Sequence, residues 1–138
     1  MVSGTKLILD TNIVLYLLSG DETVAEVING KQIYISFVTE LELLGYSKLS
    51  EEEEAQIHSF LSECGIVNIT EQVKEKTIAL RRAYKLKLPD CIIAATSHYL
   101  DIPLMTADPD FKKVEEINVV HYNVIEQTDI DEDHRPFA

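Results

Sequence analysis

Five acids stand where a carboxylate can be held in a fixed place: Asp10, Glu42, Asp90, Asp108 and Asp110. Asp10 ends the apolar run Leu7-Ile8-Leu9 and precedes a second apolar stretch, so it sits where a buried strand passes into a helix. Glu42 lies three residues after Thr39 in a helical pattern, and both occupy one face of it. Asp90 follows Pro89 at the start of an apolar helix, while Asp108 and Asp110 flank Pro109 just after residues 102–106. Strand ends of one polarity share an edge in a parallel sheet, and ligands bind outside the carboxyl ends of the strands. Three or four carboxylates gathered there cannot all stay ionised without a compensating charge. Mg2+ or Mn2+ supplies that charge, since hard cations favour all-oxygen sites. The chemistry of such a site is hydrolysis of a phosphodiester by an activated water, with no nucleophilic side chain.

The elements that must position these acids alternate. Strands are expected at residues 6–9, 33–36, 66–69, 102–106 and 119–122, separated by helical patterns. Residues 22–30 carry Val24, Val27 and Ile28 at helical spacing, with Gly30 as a cap. Ser50 and Glu53 form a capping box for a helix whose inner face is Ile57, Phe60, Leu61 and Cys64, ended by Gly65. Thr70 caps a helix from Glu71 to Tyr84 with Val73, Thr77, Leu80 and Tyr84 inward. Pro89 disfavours helix just before it and puts Asp90 at or beside the next N-cap. Residues 91–100 are apolar nearly all round and belong at the centre. The alternation predicts a three-layer α/β/α sandwich around a mainly parallel sheet of about five strands.

A chain of 138 residues makes one domain, with no internal repeat, linker or second domain. Residues 1–124 are expected to form it, and acid-rich residues 125–138 to be a mobile or partner-docked tail. No apolar run approaches the roughly 20 residues of a membrane span. The amino terminus lacks a signal core, which points to the cytoplasm. Cys64 and Cys91 lie in apolar segments without metal-ligand spacing and read as buried free thiols. With 24 acids against 12 bases the net charge is −12, the wrong sign for a protein that binds phosphate through charge alone. Bound cations and a basic protein partner would offset it. The main basic stretch is Arg81, Arg82, Lys85 and Lys87, read either as an RNA contact or as a solvated helix face. The chain has no phosphate-binding Gly-rich loop, no Gly-Xaa-Ser-Xaa-Gly elbow and no His-Glu-Xaa-Xaa-His. None of His58, His98, His121 and His134 is assigned to catalysis, and His98 reads as a packed or hydrogen-bonded residue rather than a ligand.

Four pieces in order, Leu9-Asp10-Thr11-Asn12, Thr39-Glu40-Leu41-Glu42-Leu43, Leu88-Pro89-Asp90-Cys91-Ile92-Ile93-Ala94-Ala95 and Leu104-Met105-Thr106-Ala107-Asp108-Pro109-Asp110-Phe111, resemble the PIN-domain family. The likeness is to the ribonuclease toxins of VapBC-type toxin–antitoxin pairs, and covers about residues 5 to 123. It implies that Asp10, Glu42, Asp90 and Asp108 are the catalytic, metal-binding acids, with Glu42 rather than Glu40 in the family position and Asp110 an outer or alternative ligand. Thr11, Asn12 and Thr106 would orient the carboxylates by hydrogen bonds. The resemblance further implies an endoribonuclease dependent on Mg2+ or Mn2+, acting on structured RNA such as transfer or ribosomal RNA. It implies inhibition by a cognate antitoxin and assembly as a homodimer.

Each acid also has a plain reading: Asp10 and Asp90 as helix caps, Glu42 as an exposed helix acid, Asp108 and Asp110 as turn formers. Their joint arrival on one sheet edge favours the shared site. An aspartyl-phosphate phosphatase also places an acid after its first strand, but wants a second Asp where Asn12 stands. A receiver domain wants adjacent acids there, which are missing. The remaining alternative is a non-catalytic PIN-like module that binds RNA or protein.

Overall fold

The structure is a computed structural model that describes residues 5–123; the acidic segment 125–138 lies outside the described residues. Five strands, β1 (Lys6–Leu9), β2 (Gln32–Ser36), β3 (Gly65–Val67), β4 (Leu104–Thr106) and β5 (Val119–His121), form one sheet in the order β3-β2-β1-β4-β5. Every pairing is parallel, so the expected mainly parallel sheet is wholly so. Parallel strands need crossovers, and the helices α1 (Thr11–Leu18), α2 (Glu22–Ile28), α3 (Phe37–Leu44), α4 (Glu51–Ser62), α5 (Glu71–Ala83) and α6 (Leu88–Leu100) lie in them. A 3-10 helix, Pro109–Lys113, follows β4. No helix among the described residues is long and apolar enough to cross a membrane.

Strand alternation divides the core in two. Leu7 and Leu9 of β1 and Met105 of β4 face a cluster with Ile13, Val14, Leu43, Ile57 and Leu61, from α1, α3 and α4. Ile8 and Leu104, one residue out of step, face the opposite cluster with Val73, Leu80, Cys91, Ile93 and Phe111. Both faces of the sheet are therefore covered, as near-continuous apolar strands require. β1 is the central strand of the sheet, and its Leu7, Ile8 and Leu9 are buried on the two faces.

Several local expectations change. Pro89 does not delay α6: the helix begins at Leu88, Lys87 is its N-cap, and Asp90 is its third residue. Proline lacks only an N–H that the first helical turn leaves unpaired anyway, so it sits there without loss. Asp90 thereby sits inside the first turn, three residues past the cap, rather than capping the helix. Gly65 opens β3 instead of ending α4, whose C-cap is Glu63. The thiol of Cys64 is only half-buried, whereas Cys91 is buried, and both are free. His98 is exposed. The capping box forms as expected: the Glu53 N–H donates to Ser50 Oγ at 3.0 Å and the Ser50 N–H to Glu53 Oε1 at 3.1 Å.

Gly65 is required by contact. A Cβ there would lie 2.7 and 2.8 Å from two ring carbons of Tyr34, its cross-strand partner in the β2–β3 register. Substituting Gly65→Ala is expected to lower unfolding stability by about 1–3 kcal/mol in urea denaturation, the usual cost of overpacking. Combining it with Tyr34→Ala should give a loss smaller than the sum of the two single changes, because both act through the same contact.

Candidate active site

The chain runs outward from β1 to β2 to β3 and then returns to lay β4 on the other side of β1. The carboxyl ends of β1 and β4 thus flank the point where strand order reverses, the usual place for a ligand in an open α/β sheet. The register pairs Leu9 with Met105, and the Asp10 N–H donates to the Met105 carbonyl at 3.0 Å. Asp10 and Thr106 consequently emerge side by side. Thr106 Oγ1 donates to Asp10 Oδ2 at 2.7 Å, and the Thr11 N–H donates to Asp10 Oδ1 at 2.8 Å. Asp10 is 7% exposed. Burial pushes its pKa up, the hydrogen bonds from Thr106 and Thr11 pull it back, and the charges of Asp108 and Glu42 add to the rise.

The same threonine reaches the next acid. Thr106 Oγ1 accepts the Asp108 N–H at 3.0 Å, and Asp108 Oδ1 in turn accepts the Asp110 N–H at 2.9 Å as the cap of the 3-10 helix. On the other flank, Thr11 Oγ1 donates to Glu42 Oε1 at 2.5 Å and lies 3.0 Å from the hydroxyl of Thr39. A hydroxyl carries one proton, so with that of Thr11 on the carboxylate it is Thr39 that supplies the proton between the two threonines. Thr39 is fully buried in α3. A line of hydrogen bonds therefore runs from the buried face of α3 to Glu42, and another joins Asp10 to Asp108 through Thr106 of β4.

Asp10, Glu42, Asp90 and Asp108 all line one cavity of about 510 Å³, together with Thr11, Asn12, Tyr46 and Lys87. The pKa of Asp90 is raised to about 6, first by burial and then by the charges of Asp10, Asp108 and Glu42, with Lys87 pulling the other way. Four carboxylates from four elements thus feel one another in one place. Asp110 is exposed in the first turn of the 3-10 helix and does not line the cavity. Asn12 lines it without a hydrogen bond to any of the four acids among the described residues. Arg81, Lys85 and Lys87 line a neighbouring groove, and Arg82 is exposed outside it. Leu41 and Tyr46 line this wall with no signature in the sequence that marks them, and Thr39, whose spacing from Glu42 is visible in the sequence, supports it from within α3.

Comparison with known proteins agrees with this arrangement. The PIN domain family profile matches residues 7–117, which span β1 through the approach to β5. The fold is similar to a chain of a toxin–antitoxin complex from Klebsiella pneumoniae, at 34% identity and TM-score 0.74, covering 86% of this chain and 99% of that one. It is similar also to a chain of DNA-bound VapBC from Salmonella typhimurium, at 22% identity and TM-score 0.74, covering 84% and 97%. A third is VapBC2 from Rickettsia felis bound to a promoter DNA fragment, at 21% identity and TM-score 0.72, covering 86% and 99%. Comparison with curated protein sequences gives no match. With a profile match over most of its length and the sheet order, switch point and acidic cavity described above, the chain belongs to the PIN domain family.

Proposed function

We propose that this protein is a metal-dependent endoribonuclease and the toxin of a type II toxin–antitoxin pair. One observation carries the reading: carboxylates from the ends of β1 and β4 and from α3 and α6 line a single cavity at the reversal point of the sheet. The 34% identity to a chain of a toxin–antitoxin complex supports the biological setting.

The donor chemistry fits a hard divalent cation. All four groups are carboxylates, and burial, followed by the charges of the other three, holds Asp90 reluctant to ionise with only Lys87 opposing. Among the described residues no three His, Cys, Asp or Glu side chains form a closed group that could hold an ion by themselves. An open wall of acids suits Mg2+ or Mn2+, which keeps several waters and completes its shell with substrate phosphate. Asp10, Glu42, Asp90 and Asp108 would hold the cation, with Asp110 a flanking alternative. Bound there, it supplies positive charge and a water of lowered pKa for in-line attack on a phosphodiester.

The chain's own residues set the geometry. Thr106 and Thr11 fix both oxygens of Asp10, so its carboxylate cannot swing toward Glu42 or away from the cavity. Thr11, backed by Thr39, holds one oxygen of Glu42, Oε1. Lys87 stands at the cavity wall and offers its charge to an incoming phosphate. Arg81, Arg82 and Lys85 extend that attraction toward a structured RNA such as transfer or ribosomal RNA. A cognate antitoxin would place a basic side chain among the acids, and the toxin would pair as a homodimer.

Purified protein free of antitoxin is expected to cut a total-RNA pool at discrete positions with Mg2+ or Mn2+, and to lose the cuts with EDTA or Asp10→Asn. A folded protein that cuts nothing with either metal would instead be a binding module. Thr106→Val, which leaves Asp10 Oδ2 without its donor, should cost about 10–100-fold in cleavage rate while the fold persists. A rate within twofold of wild type would remove Thr106 from the machinery.

The burial of Asp90 among other acids has its own signature. The folded-state pKa of Asp90, about 6, lies above its ordinary value of 3.8. The stability linked to its protonation is thus fully present below about pH 4 and is lost as pH rises through about 6. In metal-free buffer, Asp90→Asn should therefore melt at the same temperature as wild type near pH 4 and higher than wild type above pH 7. Adding Mn2+ should raise the melting temperature of wild type by mass action and leave Asp10→Asn less affected. Equal melting curves across pH would show that neither burial nor the neighbouring charges raise the proton affinity of Asp90 in the folded state.

A further inference from the structure

A second cavity, of about 530 Å³, adjoins the acidic one between the end of α5 and the start of α6, and Lys87 lines both. Its other walls are Arg81, Tyr84, Lys85, Leu86 and Leu88, so in a chain of net charge −12 it carries three bases and no acid. Hydrogen bonds hold parts of these walls. Arg81 Nη1 donates to the Leu86 carbonyl at 2.5 Å, which uses one of five guanidinium donors. Lys113 Nζ donates to the Lys85 carbonyl at 3.0 Å, and the Tyr84 hydroxyl donates to Glu116 Oε1 at 2.7 Å. Leu88 contributes an apolar side chain left 52% exposed, two residues before Asp90. The groove thus combines cations, a ring anchored by its hydroxyl and an apolar surface, continuous with the acid wall through one lysine.

That combination matches a nucleotide in chemistry: an anionic phosphate, and a base whose faces stack on aromatic and apolar groups. We infer that this groove seats the unpaired RNA nucleotide next to the scissile phosphate, with its phosphate at Lys87 and its base or ribose against Tyr84 and Leu88. The inference rests on the nuclease reading above and adds to it a direction for the strand, out of the acidic cavity toward α5. A base held in a duplex is stacked and paired with its neighbours, so the nucleotide in the groove is single-stranded, as in a loop or bulge.

The test is fluorescence anisotropy of a short labelled single-stranded RNA of mixed sequence, and of the same strand annealed to its complement. It uses the Asp10→Asn protein with Mg2+ so that the probe stays intact, with cleavage by wild type measured in parallel. Adding Lys87→Gln should weaken binding and lower the slope of log affinity against log salt by about 0.7, one phosphate contact on a single strand. Lys74→Gln, which removes a charge of the same α5 helix already paired with Glu71, should leave that slope unchanged. Tyr84→Leu should weaken single-strand binding by about tenfold, leave the salt slope alone and leave duplex binding unchanged. Melting curves would show that each variant is folded. If wild type cuts RNA but either Lys87→Gln or Tyr84→Leu binds as its parent does, the groove is not the nucleotide seat and the nuclease reading stands. If wild type neither cuts RNA nor binds it, both readings fall.

Discussion

A carboxylate buried to the degree of Asp10 must be either protonated or held by donors, and the way this one is held organises the domain. Both donors depend on the central strands. The Thr11 N–H is available because β1 stops and a helix starts at that residue. The Thr106 hydroxyl is available because β4 pairs with β1 in one particular register. A slip of one residue would turn Thr106 to the opposite face of the sheet and bring Met105 to the acid instead. The two apolar clusters forbid that slip, since it would also exchange Leu104 and Met105 between cores that each bury one of them fully. Packing on both faces thus determines the position of a single oxygen atom.

The acids themselves are arranged at electrostatic cost. Burial and like charge raise the proton affinity of Asp10 and Asp90, so the fold tolerates repulsion that a surface optimised for stability would avoid. Such tolerance is common where a site is meant to meet a charged ligand. The hydrogen-bonded threonines keep the carboxylates in position while that repulsion acts. Thr39, Thr11 and Thr106 are all buried and none contributes a charge, which makes them rigid supports rather than competitors for a cation.

Much of this was legible in the residues alone, for definite reasons. Apolar runs ending in an acid mark strand ends, and alternation with helical patterns fixes the sheet type, so Asp10 and Asp108 could be placed at one edge. Ser50 with Glu53 fixed a helix start because capping is local chemistry. Asp90 is the third residue of α6 rather than its cap because the preference of Pro89 against helix at Leu88 is overridden in the first turn. Gly65 looks like a helix stop in the sequence, whereas its role is steric and depends on Tyr34, more than thirty positions away in the chain. The threonine relay and the sharing of Lys87 between two cavities are likewise tertiary facts. No spacing rule connects residue 11 to 39 or 87 to 108.

The hydrogen bond between Thr106 and Asp10 closes a loop of 96 positions. A chain emerging from its amino end exposes Asp10 early, followed in turn by Glu42 and Asp90, while β4 does not yet exist. Until β4 docks beside β1, Asp10 lacks one of its two donors and Asp108 is not at the edge. Contacts of such high sequence separation form late, because the entropy of the intervening chain must be overcome first. The acidic cavity is therefore a property of the finished fold and of no fragment. Any activity it confers stays silent during synthesis and is lost whenever β4 leaves the sheet.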